Sequence, residues 1–178
     1  MEEKELINGC ISNDRFSRKR LYDLYSPVLY AICLRYIGDR DEAKDLMHDS
    51  FIRIFESIRG FKNEGSFEGW LKRIAINTAI SRLKKKEAMR LSEDLGDYDI
   101  VDDDAGEMGN CISEEKILEF IMQLPAGYRT VFNMHAVEDY SHKDIARILN
   151  ISIGTSLSQY SKARNMLARR IKDYLKQG

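Results

Sequence analysis

The sequence predicts an all-α protein built as two small helical domains joined by a flexible acidic linker. Three observations carry that prediction. Apolar residues recur at spacings of three and four along most of the chain, the period of a helix that buries one face. Only two prolines interrupt 178 residues. Charge is also segregated: a formal net charge of −1 hides a cationic stretch followed at once by an acidic one. With 43% hydrophobic and 32% charged residues, the chain can fill the cores of one or two small domains.

Several function classes fall away early. Cys10, Cys33 and Cys111 are widely spaced and odd in number, which argues against a disulfide framework or zinc site and for a reduced, cytoplasmic setting. The opening MEEKELINGC has no apolar signal segment. No run reaches the roughly 18 apolar residues of a membrane span, so no membrane insertion is expected. The three histidines fall on separate segments, and His135 reads as a half-buried residue at a core edge. Without a nucleophile motif, a glycine-rich phosphate cradle or a ligand set at metal spacing, no enzyme, metal or cofactor is expected.

In chain order, Leu6, Ile7 and Ile11 around Gly9 predict one short helix and a turn. From Phe16 to Tyr36 the apolar positions Leu21, Leu24, Tyr25, Val28, Leu29, Ile32, Cys33 and Tyr36 form a helical stripe, and Pro27 predicts a kink or break near Ser26. Gly38-Asp39 makes a turn. Asp41 and Glu42 open the next helix, whose stripe is Ala43, Leu46, Met47, Phe51, Ile54, Phe55 and Ile58. Asp45, His48, Asp49 and Arg53 take its opposite or flanking face. After the loop GFKNEG, Ser66 caps a third helix with Phe67, Trp70, Leu71, Ile74, Ala75 and Thr78 on one face. Phe67 and Trp70 read as core residues rather than stacking platforms.

That third helix is cationic. Lys72, Arg73, Arg82, Lys84, Lys85, Lys86 and Arg90 against the single Glu87 make 72–90 net +6, a footprint that suits a nucleic-acid backbone. Composition then inverts. Residues 91–110 hold eight carboxylates and no Lys or Arg, too much like charge and too little apolar surface to repay ordering. The chain therefore reads as a first domain at 1–90, a linker at 91–112 and a second domain at 113–178. In the second domain, Ile117, Leu118, Ile121, Met122 and Leu124 form a stripe that Pro125 ends, and a helix follows from Tyr128 to Val137.

Ser141 to Arg164 reads as a helix-turn-helix. Ser141 caps the first helix with Asp144 in its first turn, and Ile145, Ala146, Ile148 and Leu149 form its apolar face. Asn150 suits a left-handed end. Gly154 and Thr155 start the second helix, which is predicted to carry Ser156, Ser158, Gln159, Ser161, Lys162 and Arg164 toward solvent. Hydroxyls, an amide and cations at the front of a second helix suit major-groove reading. A plain αα-hairpin is the alternative for this stretch alone.

Three stretches together resemble a sigma-70 family factor of the extracytoplasmic-function type. DEAKDLMHDSFIRIFESI (41–58) resembles the family's docking helix, GSFEGWLKRIAINTAISRLKKK (65–86) its −10 reader, and LPAGYRTVFNMHAVEDYSHKDIARILNISIGTSLSQYSKARNML (124–167) its −35 reader. The resemblance implies a region 2-like bundle and a region 4-like helix-turn-helix domain. It implies that core RNA polymerase is the partner, met through its β′ coiled coil and β flap, with Asp45, His48, Asp49 and Arg53 docking. Promoter DNA is the second implied partner. Phe61 and Asn77 would lie at the −10 pocket, with Lys72, Arg73, Arg82, Lys84, Lys85 and Lys86 on the backbone. Thr155, Leu157, Ser158, Gln159, Ser161, Lys162 and Arg164 would meet the −35 element. An anti-sigma factor is a further implied partner. The chain departs from the family pattern at His48, where Gln is usual, at Ser81, where Asp is usual, and at Leu157, where a basic residue is common; an apolar Leu157 suits either a thymine methyl or packing beside Tyr160. The rival readings are a stand-alone helix-turn-helix regulator and a pure interaction module.

Overall fold

The computed structural model describes residues 2–62, 64–90 and 112–177, with the helical backbone alone at 87–90 and 177. No strand occurs among the described residues, as an all-α chain requires. The chain divides into two compact units, Met1–Arg82 and Leu83–Gly178. Apart from Ile112, the expected acidic linker lies outside the described residues.

The first unit comprises α1 (Glu3–Ile11), α2 (Arg15–Ile37), α3 (Arg40–Ser57) and α4 (Phe67–Arg90), the division between units falling inside α4. α1 crosses α2 so closely that a Cβ on Gly9 would stand 2.1 Å from Ser17 Oγ and 2.6 Å from Ser17 Cβ. Only glycine fits there. Ser17 is itself buried, and its hydroxyl and amide both donate to Asp14, the residue that caps α2, at 2.7 and 2.8 Å. Those two bonds favour the Asp14 carboxylate and hold its pKa below the ordinary value.

Of the kink or break expected near Ser26, no break occurs: α2 runs continuously through Pro27. Proline removes the bond to the Asp23 carbonyl, but both residues are exposed, so water can serve the freed oxygen. The buried face of α2 also differs from the expected stripe. Ser17, Leu21, Leu29, Ile32, Cys33, Leu34, Tyr36 and Ile37 are buried, whereas Leu24, three residues on from Leu21, is 51% exposed. α2 ends in Gly38 at φ 77°, a left-handed cap whose N–H donates to Leu34 O at 2.8 Å. Asp39 then starts α3, its carboxylate accepting the Asp41 and Glu42 amides at 3.0 and 2.9 Å.

α3 buries Ala43, Leu46, Met47, Phe51, Ile54 and the following Ile58, with Phe55 half-buried, along the expected stripe. Ser50 shares that face and satisfies its hydroxyl by donating to Leu46 O at 2.7 Å. Cys33 meets it from α2, and burial pushes the Cys33 thiol up to about 12. On α4, Phe67, Leu71, Ala75 and Thr78 are buried as expected, but Ile74 is only half-buried and Ile76, Ala79 and Ile80 complete the core. The capping Ser66 hydroxyl accepts the Gly69 amide at 3.2 Å.

The second unit adds α5 (Glu114–Met122), α6 (Ala126–Phe132), α7 (His142–Leu149) and α8 (Ile153–Gln177). Phe120, Ile121, Leu124, Ala163 and Leu167 form one core cluster. Ile117, expected in the α5 stripe, is 39% exposed; Phe120 takes the inward position. The expected helix Tyr128–Val137 begins earlier, at Ala126, and is α-helical only to Phe132. It then widens into one π turn, Asn133–Val137, where Glu138 N donates to Asn133 O at 3.0 Å. The end of α5 gathers two guanidinium groups. Arg129, only 7% exposed, donates to Met122 O at 2.7 Å and Leu124 O at 3.0 Å, and Arg170 donates to Phe120 O and Gln123 O at 3.3 and 3.4 Å. Cations at the negative end of a helix satisfy carbonyls that have no partner within it.

Gly9→Ala should lower the stability of the first unit by about 1–3 kcal/mol, the usual cost of overpacking. Chemical denaturation followed by the fluorescence of Trp70 checks this.

Candidate functional site

The helix-turn-helix forms as its residues dictate. Ser141 Oγ accepts the Asp144 amide at 3.1 Å and donates to the Asp144 carboxylate at 2.6 Å. Asn150, at φ 58° and ψ 44°, ends α7 in the left-handed region. α8 begins at Ile153 rather than at Gly154. Its cap is Ser152, whose hydroxyl accepts the Thr155 amide at 2.9 Å and lies 2.8 Å from the Thr155 hydroxyl.

Thr155, Leu157, Ser158, Ser161 and Arg164 are exposed on α8, with Leu157 at 50%. Gln159 and Lys162 are half-buried. The Gln159 amide lies over the first turn of α6, its Nε2 3.5 Å from where a Cβ on Gly127 would stand. Ser156 corrects the sequence reading outright. It is fully buried and meets His142 Nδ1 at 2.9 Å. Spacing could have found it: 156, 160, 163 and 167 step by four, three and four along the inward face of α8.

Two histidines that the sequence separates are stacked by the fold. The rings of His135 and His142 lie 4.1 Å apart at 28°, with the edge of Tyr160 against both. His135 Nδ1 donates to Tyr140 O at 2.8 Å. Burial, reinforced by the neighbouring His135, lowers the pKa of His142. The protonated form is therefore disfavoured in the folded state.

On the first unit, Asp45, His48, Asp49 and Arg53 are all exposed along α3. Ile52 is 57% exposed among them, an apolar member that the sequence reading misses although 45, 48, 49 and 52 share one helical face. Tyr22 Oη lies 3.2 Å from His48 Nε2. The Asp49 carboxylate stands 4.0 Å from Arg82 Nη1, so α3 and the cationic α4 meet at an ion pair. Lys72 pairs with Glu68 at 2.6 Å, whereas Arg73, Asn77, Ser81, Lys84, Lys85 and Lys86 are exposed on α4. Phe61 is half-buried in an aromatic cluster, its ring 5.1 Å from Phe67 and 5.3 Å from Trp70. Phe67 is fully enclosed, the core role expected of it; Trp70 is half-buried. Among the described residues, no helix is long and apolar enough to cross a membrane.

A helical bundle carrying a cationic helix, followed by a helix-turn-helix unit, defines a DNA-binding protein of the transcription machinery. Family comparison agrees: residues 21–89 match the model of sigma-70 region 2 and residues 114–167 that of sigma-70 region 4, together more than half of the chain. The chain belongs to the sigma-70 family, in its extracytoplasmic-function branch, and is a transcription initiation factor. It is 28% identical to the extracytoplasmic-function RNA polymerase sigma factor SigW of Bacillus subtilis, over 96% of this chain and 97% of that one. It is 29% identical to the extracytoplasmic-function RNA polymerase sigma-E factor of Haemophilus influenzae, over 96% of each. Among solved structures, the sigma factor RpoE of Bartonella quintana, in complex with the anti-sigma factor NepR, shares the fold. The TM-score is 0.51 at 23% identity, over 86% of this chain and 96% of that one.

A lowered pKa makes His142 stabilising above the ordinary imidazole range, and that contribution is lost as pH falls through the folded value. NMR titration of the His142 ring should report a midpoint below that of a free imidazole, and His135→Gln should raise it.

Proposed function

We propose that this factor binds core RNA polymerase through the exposed face of α3 and then engages promoter DNA at two elements. The observation that carries the reading is the division of labour between α3 and α4. Asp45, His48, Asp49, Ile52 and Arg53 face out from α3, and the next long helix presents Arg73, Lys84, Lys85 and Lys86. Asp45 and Asp49 suit a cationic partner surface, and the exposed Ile52 supplies the apolar contact that interface centres favour. The β′ coiled coil of polymerase fits as that partner by family likeness, with the β flap meeting the second unit.

The second unit reads the −35 element through the front of α8. Thr155, Leu157, Ser158 and Ser161 are the groups with most freedom to meet base edges, and Arg164 meets phosphate. Gln159 and Lys162, half-buried, reach DNA from the side of the helix. At the −10 element, Phe61 borders the pocket that takes an unstacked base, Asn77 offers polar contact, and Lys72, Arg73, Arg82, Lys84, Lys85 and Lys86 hold the backbone. Lys72, paired with Glu68, and Arg82, paired with Asp49, must exchange those carboxylates for phosphate. We place the region 2-like domain at 1–90, the acidic linker at 91–112 and the region 4-like domain at 113–178. The solved relative bound to its anti-sigma factor supports an inhibitory partner here too.

Asp49→Arg should abolish co-purification with core polymerase while leaving the helical circular-dichroism spectrum unchanged; retained binding would move the docking face elsewhere. Replacing Lys84, Lys85 and Lys86 by Ala should weaken promoter binding by the holoenzyme alike on all sequences. The slope of log affinity against log salt should flatten by about one unit for each phosphate that is no longer neutralised.

A further inference from the structure

We propose that Tyr22 is a positioning residue of the docking face: it holds His48 in the tautomer that keeps a proton on Nδ1 and offers it as a hydrogen-bond donor to the polymerase. The inference rests on reading the exposed face of α3 as the docking surface. Tyr22 belongs to α2, and three interactions fix it. Its ring packs against Phe51 with centroids 4.7 Å apart, and Phe51 is buried, so the seat is firm. The same ring lies nearly parallel to the His48 imidazole, 6.2 Å away at 19°. Its hydroxyl oxygen stands 3.2 Å from His48 Nε2.

The direction of that hydrogen bond follows from the chemistry of the two groups. A phenol O–H is a better donor than a neutral imidazole N–H, and the bare imidazole nitrogen is a better acceptor than a phenol oxygen. Tyr22 therefore donates to Nε2, and the one proton of the neutral ring sits on Nδ1. Nδ1 has no hydrogen-bond partner among the described residues. His48 is exposed between Asp45 and Asp49, which repel a carboxylate, so a neutral carbonyl oxygen of the partner is the complementary group. Without the Tyr22 hydroxyl the ring samples both tautomers and more rotamers, and docking must select one of them.

A four-protein cycle tests this: the full chain, Tyr22→Phe, His48→Gln and the double variant, each titrated with core polymerase. Phe keeps the ring seated on Phe51, and the Gln amide offers N–H donors without a tautomer to choose. Tyr22→Phe should weaken core binding about fivefold when His48 is present and by less than about twofold when Gln replaces it. Nitrogen NMR of the His48 ring should show the Nδ1–H form in the full chain and a mixture in Tyr22→Phe. Unchanged affinity in Tyr22→Phe, equal loss in both backgrounds, or an Nε2–H ring in the full chain would each overturn the proposal alone. Retained core binding by Asp49→Arg would instead overturn the docking reading, and this proposal with it.

Discussion

Burial of one continuous stripe per helix is the constraint on which both units depend. Neither unit is large, so each commits most of the apolar side chains its helices supply to a small core. α3 shows the consequence most directly. Leu46, Met47, Phe51 and Ile54 are committed to the interior, which leaves Asp45, His48, Asp49 and Ile52 outside. The same division governs α8, where Tyr160, Ala163 and Leu167 turn inward and Leu157, Ser158 and Ser161 turn out. A surface for partners is what remains of each helix once its core obligation is met.

Four small polar side chains inside these stripes each have a specific answer. Ser17 is tied to Asp14, Ser50 and Thr78 return their hydroxyls to carbonyls four residues back, and Ser156 meets His142. Small hydroxyls let helices approach closely while leaving no donor stranded. Arg129 is the costly case, a buried cation, and its guanidinium is met by carbonyls at the end of α5. Those hydrogen bonds tie α6 to the helix before it, where a hydrophobic pair would only press the two together.

Much of this is legible in the sequence because it is local. The α3 stripe, the caps at Ser66 and Ser141, the left-handed Asn150 and the exposed cations of α4 all follow from periodicity or from a single side chain meeting its own backbone. The errors share a different origin. Residue type alone puts Ser156 outward and Leu24 and Ile117 inward; the angle of Ser156 on α8 buries it, whereas Leu24 and Ile117 share a face with buried neighbours and are left uncovered by the rest of the fold. Pro27 reads as a breaker because sequence alone does not show that its turn faces water. The stacked His135 and His142, the Asp49–Arg82 pair and the Tyr22–His48 hydrogen bond join helices distant along the chain, and no local pattern announces them.

Gly127 has a bearing beyond its own helix. With no side chain there, the first turn of α6 leaves a shelf on which the Gln159 amide rests. An alanine methyl at 127 would just touch that amide, and a side chain longer than alanine would compete with it for the shelf. The position of one side chain on α8 thus depends on the bare backbone of a neighbouring helix. If α8 reads bases as proposed, a change at Gly127 could retune that reading while every residue of α8 stays the same.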